Sequence, residues 1–343
     1  MKKLLNTLYI TSEDAFLSLD GENVVVSFAD DTRKAFPLHV LSGIVSFSYK
    51  GATPALLGKC VADGVMAAFF SPQGRFLFQV GSETAGNVYL RREQYRIADD
   101  EVRSIGIARN FVAGKLYNAK YVLLRCARDH AMQVDAEALR RAAANIQAGL
   151  SACIQVENDD ALRGIEGNAA SQYFGTFDEM ILRDKECFAF QGRTRRPPLD
   201  RVNALLSFAY ALLTADCVAA LRGVGLDPYV GFMHVDRPGR KSLALDLMEE
   251  LRPVYADRFV LTLINNRIIP PDSFTIQQSG AVLLSDDARK AFLGEWQKRK
   301  RDEFTHPYLG EKLSWGMAPH IQALLLARHV RGDLDQYPPL FWK

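Results

Sequence analysis

The chain has 343 residues, 48% of them hydrophobic and 24% charged, with a formal net charge of +2. That length suits two domains of about 100–200 residues each, and that composition suits a folded chain with a full core, not a disordered or fibrous one. So small a net charge excludes a uniformly basic surface, and any nucleic-acid partner must be met by local clusters.

The opening stretch, MKKLLNTLYITSEDAF, has two lysines but no long apolar run and no small-residue cleavage site, so no signal peptide is expected. No run of about 18 apolar residues predicts a membrane helix. The five cysteines (Cys60, Cys126, Cys153, Cys187, Cys217) are scattered and lack CxxC spacing. They point to a reducing, cytoplasmic compartment with free thiols and no thiolate zinc site.

Residues 1–95 read as mostly β. AFLSLDGENVVVSFADDTRKAFPL alternates apolar and polar residues on both sides of DGEN, the pattern of a hairpin. GIVSFSY, VMAAFFS and GRFLFQV continue the strand-like runs. Between them TPALLGKCVADG reads as one short helix, with Pro54 near its start and Gly64 past its end. After YRIADDEVRSI the period changes from 2 to 3.6. NFVAGKLYNAKYVLLRCARD, AEALRRAAANIQAGLSACIQV and DALRGIEGNAASQYFGTFDEMIL predict helices. LDRVNALLSFAYALLTADCVAALRGVGL is apolar enough for a central buried helix. SDDARKAFLGEWQKRKRDEF and MAPHIQALLLARHVRGDL predict the last two helices. The expected fold is α+β: a β-sandwich-like domain over residues 1–95, a linker over 96–104, and an all-α domain over 105–343.

The stretch GFMHVDRPGRKSLALDLMEELRP crowds one histidine, a basic loop and three acids into 23 residues, 231–253. Ser242 is expected to cap the helix, and Pro253 to end it. Asp246 lies three residues from Glu249 and four from Glu250, so all three share one side of that helix. Their repulsion grows in a low dielectric, and a divalent cation would remove it. The alternative is a solvated acidic face, with Leu243, Leu247 and Leu251 packing opposite. His234, between apolar residues, is either structural or a ligand. Imidazole with carboxylates suits manganese or, with water, magnesium. Glu166, in RGIEGNAASQYF, stands among small residues that allow close approach. Its alternative role is a carboxylate serving a helix N-terminus.

Three basic groups stand out. Arg193, Arg195, Arg196 and Arg201 flank PPLD; Arg237, Arg240 and Lys241 follow His234; Lys298, Arg299, Lys300 and Arg301 follow Trp296. Arginine forks match phosphate oxygens. A metal beside arginine supplies the charge stabilisation that phosphodiester chemistry needs. The 298–301 run is equally an exposed helix face.

Taken together, GIEG, RRPPLDRVNALLSFAYALL, GFMHVDRPGRKSLALDLMEELRP and the β-rich front resemble the CRISPR-associated adaptation integrases, along nearly the whole chain. The closing YPPLFWK resembles one subtype of that family. The resemblance implies a dimerising N-terminal β-sandwich and a helical catalytic domain that binds metal and DNA. It implies metal ligands and catalytic residues at Glu166, His234 and Glu249, with Asp246 behind them or an occasional second ligand, and Asn203 near the site. It implies Mg2+ or Mn2+ as cofactor and a metal-dependent DNA endonuclease and integrase that joins 3′-hydroxyl ends of captured DNA into a CRISPR array. It also implies double-stranded DNA as partner, a homodimer, and a small ferredoxin-like partner protein completing a heterohexamer, with no membrane. Arg193, Arg195, Arg196, Arg237, Arg240 and Lys241 are the candidate phosphate contacts. The competing readings are a catalytically inactive scaffold that binds DNA and the same partner, and a hydrolase of small phosphoesters.

Overall fold

In the computed structural model, the residues described are 7–41, 43–71, 76–80 and 88–343. The first six residues of the supposed non-signal segment, and the first two of the run 74–80, lie outside them. The chain forms two compact units: Met1–Ala85 with Leu284–Asp302, and Gly86–Leu283 with Glu303–Lys343.

In the first unit β1 (Thr7–Ile10), β2 (Phe16–Asp20), β3 (Asn23–Ser27), β4 (Arg33–Pro37) and β5 (Gly43–Ser46) precede α1 (Pro54–Asp63), β6 (Met66–Phe70) and β7 (Phe76–Val80). The DGEN hairpin is present: Asp20 pairs with Asn23, and β4 adds to the same antiparallel sheet in the order β2-β3-β4. The second sheet runs β1-β5-β6-β7, with β1, β5 and β6 parallel. Parallel neighbours need a crossover connection, and α1 supplies it between β5 and β6. The Thr53 hydroxyl caps α1 by accepting from Leu56 N at 3.3 Å, with Pro54 in the first turn. Leu17, Val24 and Val26 of one sheet, Ile44 and Phe69 of the other, and Leu56 of α1 share one buried core.

A helix from far along the sequence, Asp286–Arg301 (α9 in chain order), belongs to this unit, although its periodicity gave no hint of which partner it would choose. Gln297 donates to Thr7 O at 3.3 Å, and Arg289 lies over the Phe47 ring at 5.7 Å. Of the basic run 298–301, Lys298 pairs with Glu295 at 2.5 Å, Arg299 pairs with Asp302 at 3.4 Å, and Lys300 is buried.

The second unit is largely helical. It comprises α2 (Val88–Ala98), α3 (Glu101–Asp129), α4 (Ala136–Cys153), α5 (Asp159–Gly175), α6 (Arg201–Gly223), α7 (Ser242–Leu251), α8 (Arg258–Asn265) and α10 (Ala318–Val330). The residues expected as a linker, 96–104, are the end of α2 and the start of α3, and residues 88–95 are helical rather than β. Two short hairpins interrupt the expected all-α run: β8 (Phe274–Ile276) with β9 (Val282–Leu284), and β10 (Glu303–Thr305) with β11 (Lys312–Ser314).

Asp100, Asp135, Asn158 and Asp200 cap α3, α4, α5 and α6 through side-chain oxygens that accept backbone N–H bonds. The 29-residue α3 packs against α4, α5 and α7 and is the spine of the unit. By length and composition α6 could cross a membrane, but 67% of its apolar window is buried, as in a core helix.

Pro253 does not end the helix that starts at Ser242. Residues Arg252–Asp257 form a π-helical turn, and α8 continues from Arg258. A proline has no N–H to give the preceding turn, and a π-bulge absorbs that loss without breaking the helix. Nor is Ser242 the cap: Lys241 holds that position without a side-chain bond, and Pro228 O accepts from Leu243 N at 3.1 Å.

Candidate active site

Three helices of the second unit meet on one ammonium group. Lys115 of α3 pairs with Glu166 of α5 and, at 2.7 Å, with Glu249 Oε2 of α7. Arg252, the first residue of the π-helical turn, holds the other oxygen of Glu249 at 2.8 Å. Glu166 lies in mid-helix, so its carboxylate does not serve a helix N-terminus. The side chain of Glu249 is only 3% exposed. Burial pushes its pKa up, but the charges of Arg252 and Lys115 push harder in the other direction and hold it at about 2. The acidic side of α7 is therefore not solvated: Asp246, Glu249 and Glu250 are all buried.

Asp246 builds the loop that carries the histidine. Its Oδ2 accepts from Phe232 N at 2.7 Å and Met233 N at 3.1 Å, and its Oδ1 accepts from His234 N at 3.0 Å. The same Oδ1 lies 2.6 Å from His234 Nδ1. A carboxylate can only accept there, so the proton sits on Nδ1 and Nε2 keeps its lone pair for a ligand. Gly231 lets this wrap close: a Cβ there would lie 2.8 Å from both Asp246 Oδ2 and Ser242 Cβ.

Glu166, His234, Glu249 and Arg252 line one open groove of about 830 Å³. Arg195, Arg196, Arg237 and Arg240 line it too. Of these, Arg195, Arg196 and Arg237 are exposed, and Arg240 reaches Val235 O at 3.4 Å. The other two predicted phosphate contacts are placed differently. Lys241 is not among the groove's lining residues, and burial, with Arg222 adding to it, lowers its pKa to about 8.

Arg193 lines the groove but is committed inward. It donates to Asn203 Oδ1 at 2.6 Å and Ser207 Oγ at 3.1 Å, and stacks over the Tyr210 ring at 5.2 Å. Asn203 in turn donates to Gly192 O at 2.8 Å. It anchors the 192–194 loop and contacts none of the three proposed ligands through any of these bonds.

The donor set suits a hard divalent cation: two carboxylates and one imidazole whose other nitrogen is tied to an acid. One buried atom argues the same way. Glu249 Oε2 is close to Lys115 Nζ but accepts no aligned hydrogen bond. Among the described residues no three His, Cys, Asp or Glu side chains are gathered tightly enough to form a metal cage. The ammonium of Lys115 stands between the two glutamates instead.

A family model described as CRISPR associated protein Cas1 matches residues 8–298. The chain belongs to this family. The CRISPR-associated endonuclease Cas1 1 of Chlorobaculum tepidum is 48% identical over 347 residues, covering 100% of both chains. The CRISPR-associated endonuclease Cas1 2 of Rhodospirillum rubrum is 49% identical over 351 residues, again with 100% of both covered. A casposase bound to integration product matches with a TM-score of 0.84 over 98% of this chain and 94% of that one, at 21% identity, a likeness of fold.

Sequence reasoning missed four parts of this Cas1-family site. Lys115 and Arg252 were not singled out, although Lys115 interrupts the apolar stripe of Phe111, Val112, Leu116 and Ala119 on α3. A lone charge on a buried stripe is a legible signal. Tyr210 was also missed: Arg193 and Arg252 lie over its ring at 5.2 and 4.9 Å, and its hydroxyl donates to Asp257 at 2.6 Å. Burial raises Asp257 to about 6.

The last omission is the role of Glu250. It turns away from Glu249 and binds the C-terminal tail, accepting from Tyr337 Oη, from Gln322 Nε2 at 3.0 Å and from Leu340 N at 2.6 Å. Asn118 reinforces the clamp through Leu340 O at 2.7 Å and Trp342 N at 2.9 Å. Gly114 makes room, since a Cβ there would lie 2.8 Å from the Glu250 Cβ.

Proposed function

We propose that this chain is a metal-dependent DNA endonuclease and integrase that joins DNA 3′-hydroxyl ends into a CRISPR array by direct transesterification. The observation that carries the proposal is a pair of carboxylates, Glu166 and Glu249, converging on one cation in an arginine-rimmed groove. Family membership supports it, as does the endonuclease name of the full-length relatives.

Glu166, Glu249 and His234 Nε2 would hold Mg2+ or Mn2+. Such an ion supplies Lewis acidity at a phosphoryl oxygen and helps align a hydroxyl nucleophile. The chain's own residues do the rest. Asp246 fixes the imidazole tautomer, and Arg252 fixes the Glu249 carboxylate. Arg195, Arg196, Arg237 and Arg240 offer phosphate contacts, which position a duplex without reading its sequence. Transesterification exchanges one phosphodiester for another and needs neither a covalent enzyme intermediate nor ATP. A groove rimmed by four arginines fits the repeated phosphates of a polymer better than the single phosphate of a small phosphoester. In this reading the β-rich unit mediates the homodimer, and a small ferredoxin-like partner joins two such dimers.

The test is strand joining. The purified chain, a short duplex with free 3′-hydroxyls and a supercoiled plasmid carrying a CRISPR leader and repeat are mixed with Mn2+, with and without the partner. Joined product is expected from the wild type and not from Glu166→Ala or His234→Ala. Equal joining by Glu166→Ala would refute the assignment. DNA binding without joining by the complete wild-type complex would mean an inactive scaffold.

A further inference from the structure

We infer that Lys115 is a resident counter-ion of the metal site: its ammonium closes the site before a divalent cation arrives, and the incoming cation must displace it. This rests on the metal-site reading above. The first observation is position. Lys115 Nζ bonds Glu166 and lies 2.7 Å from Glu249 Oε2, the same two carboxylates that would ligate the metal. The second is burial. The Lys115 side chain is 11% exposed, and a buried lysine is tolerated only when its charge is compensated.

The third observation is charge balance. Two glutamates face two cations, Lys115 and Arg252, and balance them, which leaves the Asp246 carboxylate behind the neutral His234 as one net negative charge. A divalent ion bound by the same oxygens adds two positive charges within bonding distance of the ammonium, where repulsion in a low dielectric is severe. Arg252 holds the far oxygen of Glu249 and can stay. Lys115 stands between the carboxylates and cannot.

The fold gives the lysine somewhere to go. Lys115 also lines a cavity of about 420 Å³ beside the groove. On α5 that cavity is lined by Gly167, Ala170 and Ser171 and, farther along the helix, by the larger Tyr173 and Phe174, and its volume still accommodates a four-carbon stem. The cavity shares Arg193, Tyr210 and Arg252 with the groove. A lysine that swings aside therefore stays near the phosphates. With the metal bound, the site carries a surplus of one positive charge, which suits the extra negative charge of a phosphoryl transition state.

The experiment uses the full-length chain, with wild type and Lys115→Met compared. Mn2+ binding is measured by calorimetry and Tm in EDTA and in Mn2+. Removing the competing ammonium should tighten Mn2+ binding at least tenfold. The variant should melt lower than wild type in EDTA and gain more from Mn2+. Affinity equal to or weaker than wild type, in a variant that circular dichroism reports as folded, would overturn the inference.

A second readout does not depend on the variant's stability. In 15N-lysine-labelled wild type, the ammonium signal that Lys115→Met deletes should shift or vanish on adding Mg2+, and a signal unmoved at saturating Mg2+ would also overturn it. If wild type binds no divalent ion at all, the metal-site reading itself fails, and that result is distinct from either of the others.

Discussion

Glu249 and Glu250 are consecutive residues on one helix turn, both buried, and they do opposite jobs. Glu249 faces Lys115 and Arg252, and their charges hold its pKa at about 2. Glu250 faces neutral donors from Gln322, Tyr337 and Leu340, and there burial wins and pushes it up to about 7. One side of α7 keeps a carboxylate charged against Lys115 and Arg252. The other uses a carboxylate as a hub for the C-terminal tail. What separates them is the charge of the partners, since burial is nearly equal.

The largest expected difference is in metal binding. Glu249→Gln should weaken Mn2+ binding at least 100-fold in calorimetry and abolish joining, because a neutral amide is a poor ligand for a hard cation. Glu250→Gln should leave Mn2+ affinity within about threefold, since an uncharged neighbour on the far face costs the metal little. Equal losses in the two variants would erase the distinction.

Deleting residues 337–343 probes the other side. It strips Glu250 of Tyr337 and Leu340. Stability should fall by about 1–3 kcal/mol in urea titrations from this loss alone, the usual cost of leaving a buried polar group short of its partners. Glu250→Leu in the truncated chain should recover part of that loss, as coupled sites are non-additive.

The two carboxylates also predict opposite pH dependence without metal. Glu249 has a folded pKa of about 2, below its ordinary 4.5, so its contribution is complete above pH 4.5 and is lost as pH falls toward 2. Glu250 has a folded pKa of about 7, above the same 4.5, so its contribution is complete below pH 4.5 and is lost as pH rises to 7. Each effect is worth about 3 kcal/mol. Urea midpoints measured in EDTA should therefore fall less between pH 5 and 7 in Glu250→Gln than in wild type.

The smallest effects divide the arginines. Arg237→Ala with Arg240→Ala should lower the slope of log K against log salt for duplex binding by about 1–2, roughly one unit for each phosphate no longer neutralised. Arg193→Ala should leave that slope unchanged and cost stability instead, because its guanidinium is spent on Asn203, Ser207 and the Tyr210 ring.

How far the sequence could be read follows the same division. The period changes located the hairpin of β2 and β3 and most of the long helices, because those signals are local. The choice of α9 to pack with the strands, the parallel pairing of β5 with β6, and the π-helical turn at Pro253 depend on partners far along the chain. In the site, type and spacing singled out Glu166, His234 and the three acids Asp246, Glu249 and Glu250 as candidates, and only the family resemblance picked Glu249 from the three. Glu250 has the same chemistry and nearly the same position as Glu249. Its separate role became visible only when the tail, about 90 residues later, was seen against it. Lys115 was legible as a charge on an apolar stripe, but its two partners were not. Asn203 and Arg193 looked like site residues and turned out to build the loop beside the site.

The most direct test of the central claim is anomalous diffraction from crystals soaked in Mn2+. The account predicts a single strong peak bound by Glu166, His234 and Glu249, with Asp246 still holding His234 Nδ1 and Glu250 still holding the tail. A peak on Asp246 or Glu250, or one that does not involve both Glu166 and Glu249, would contradict it.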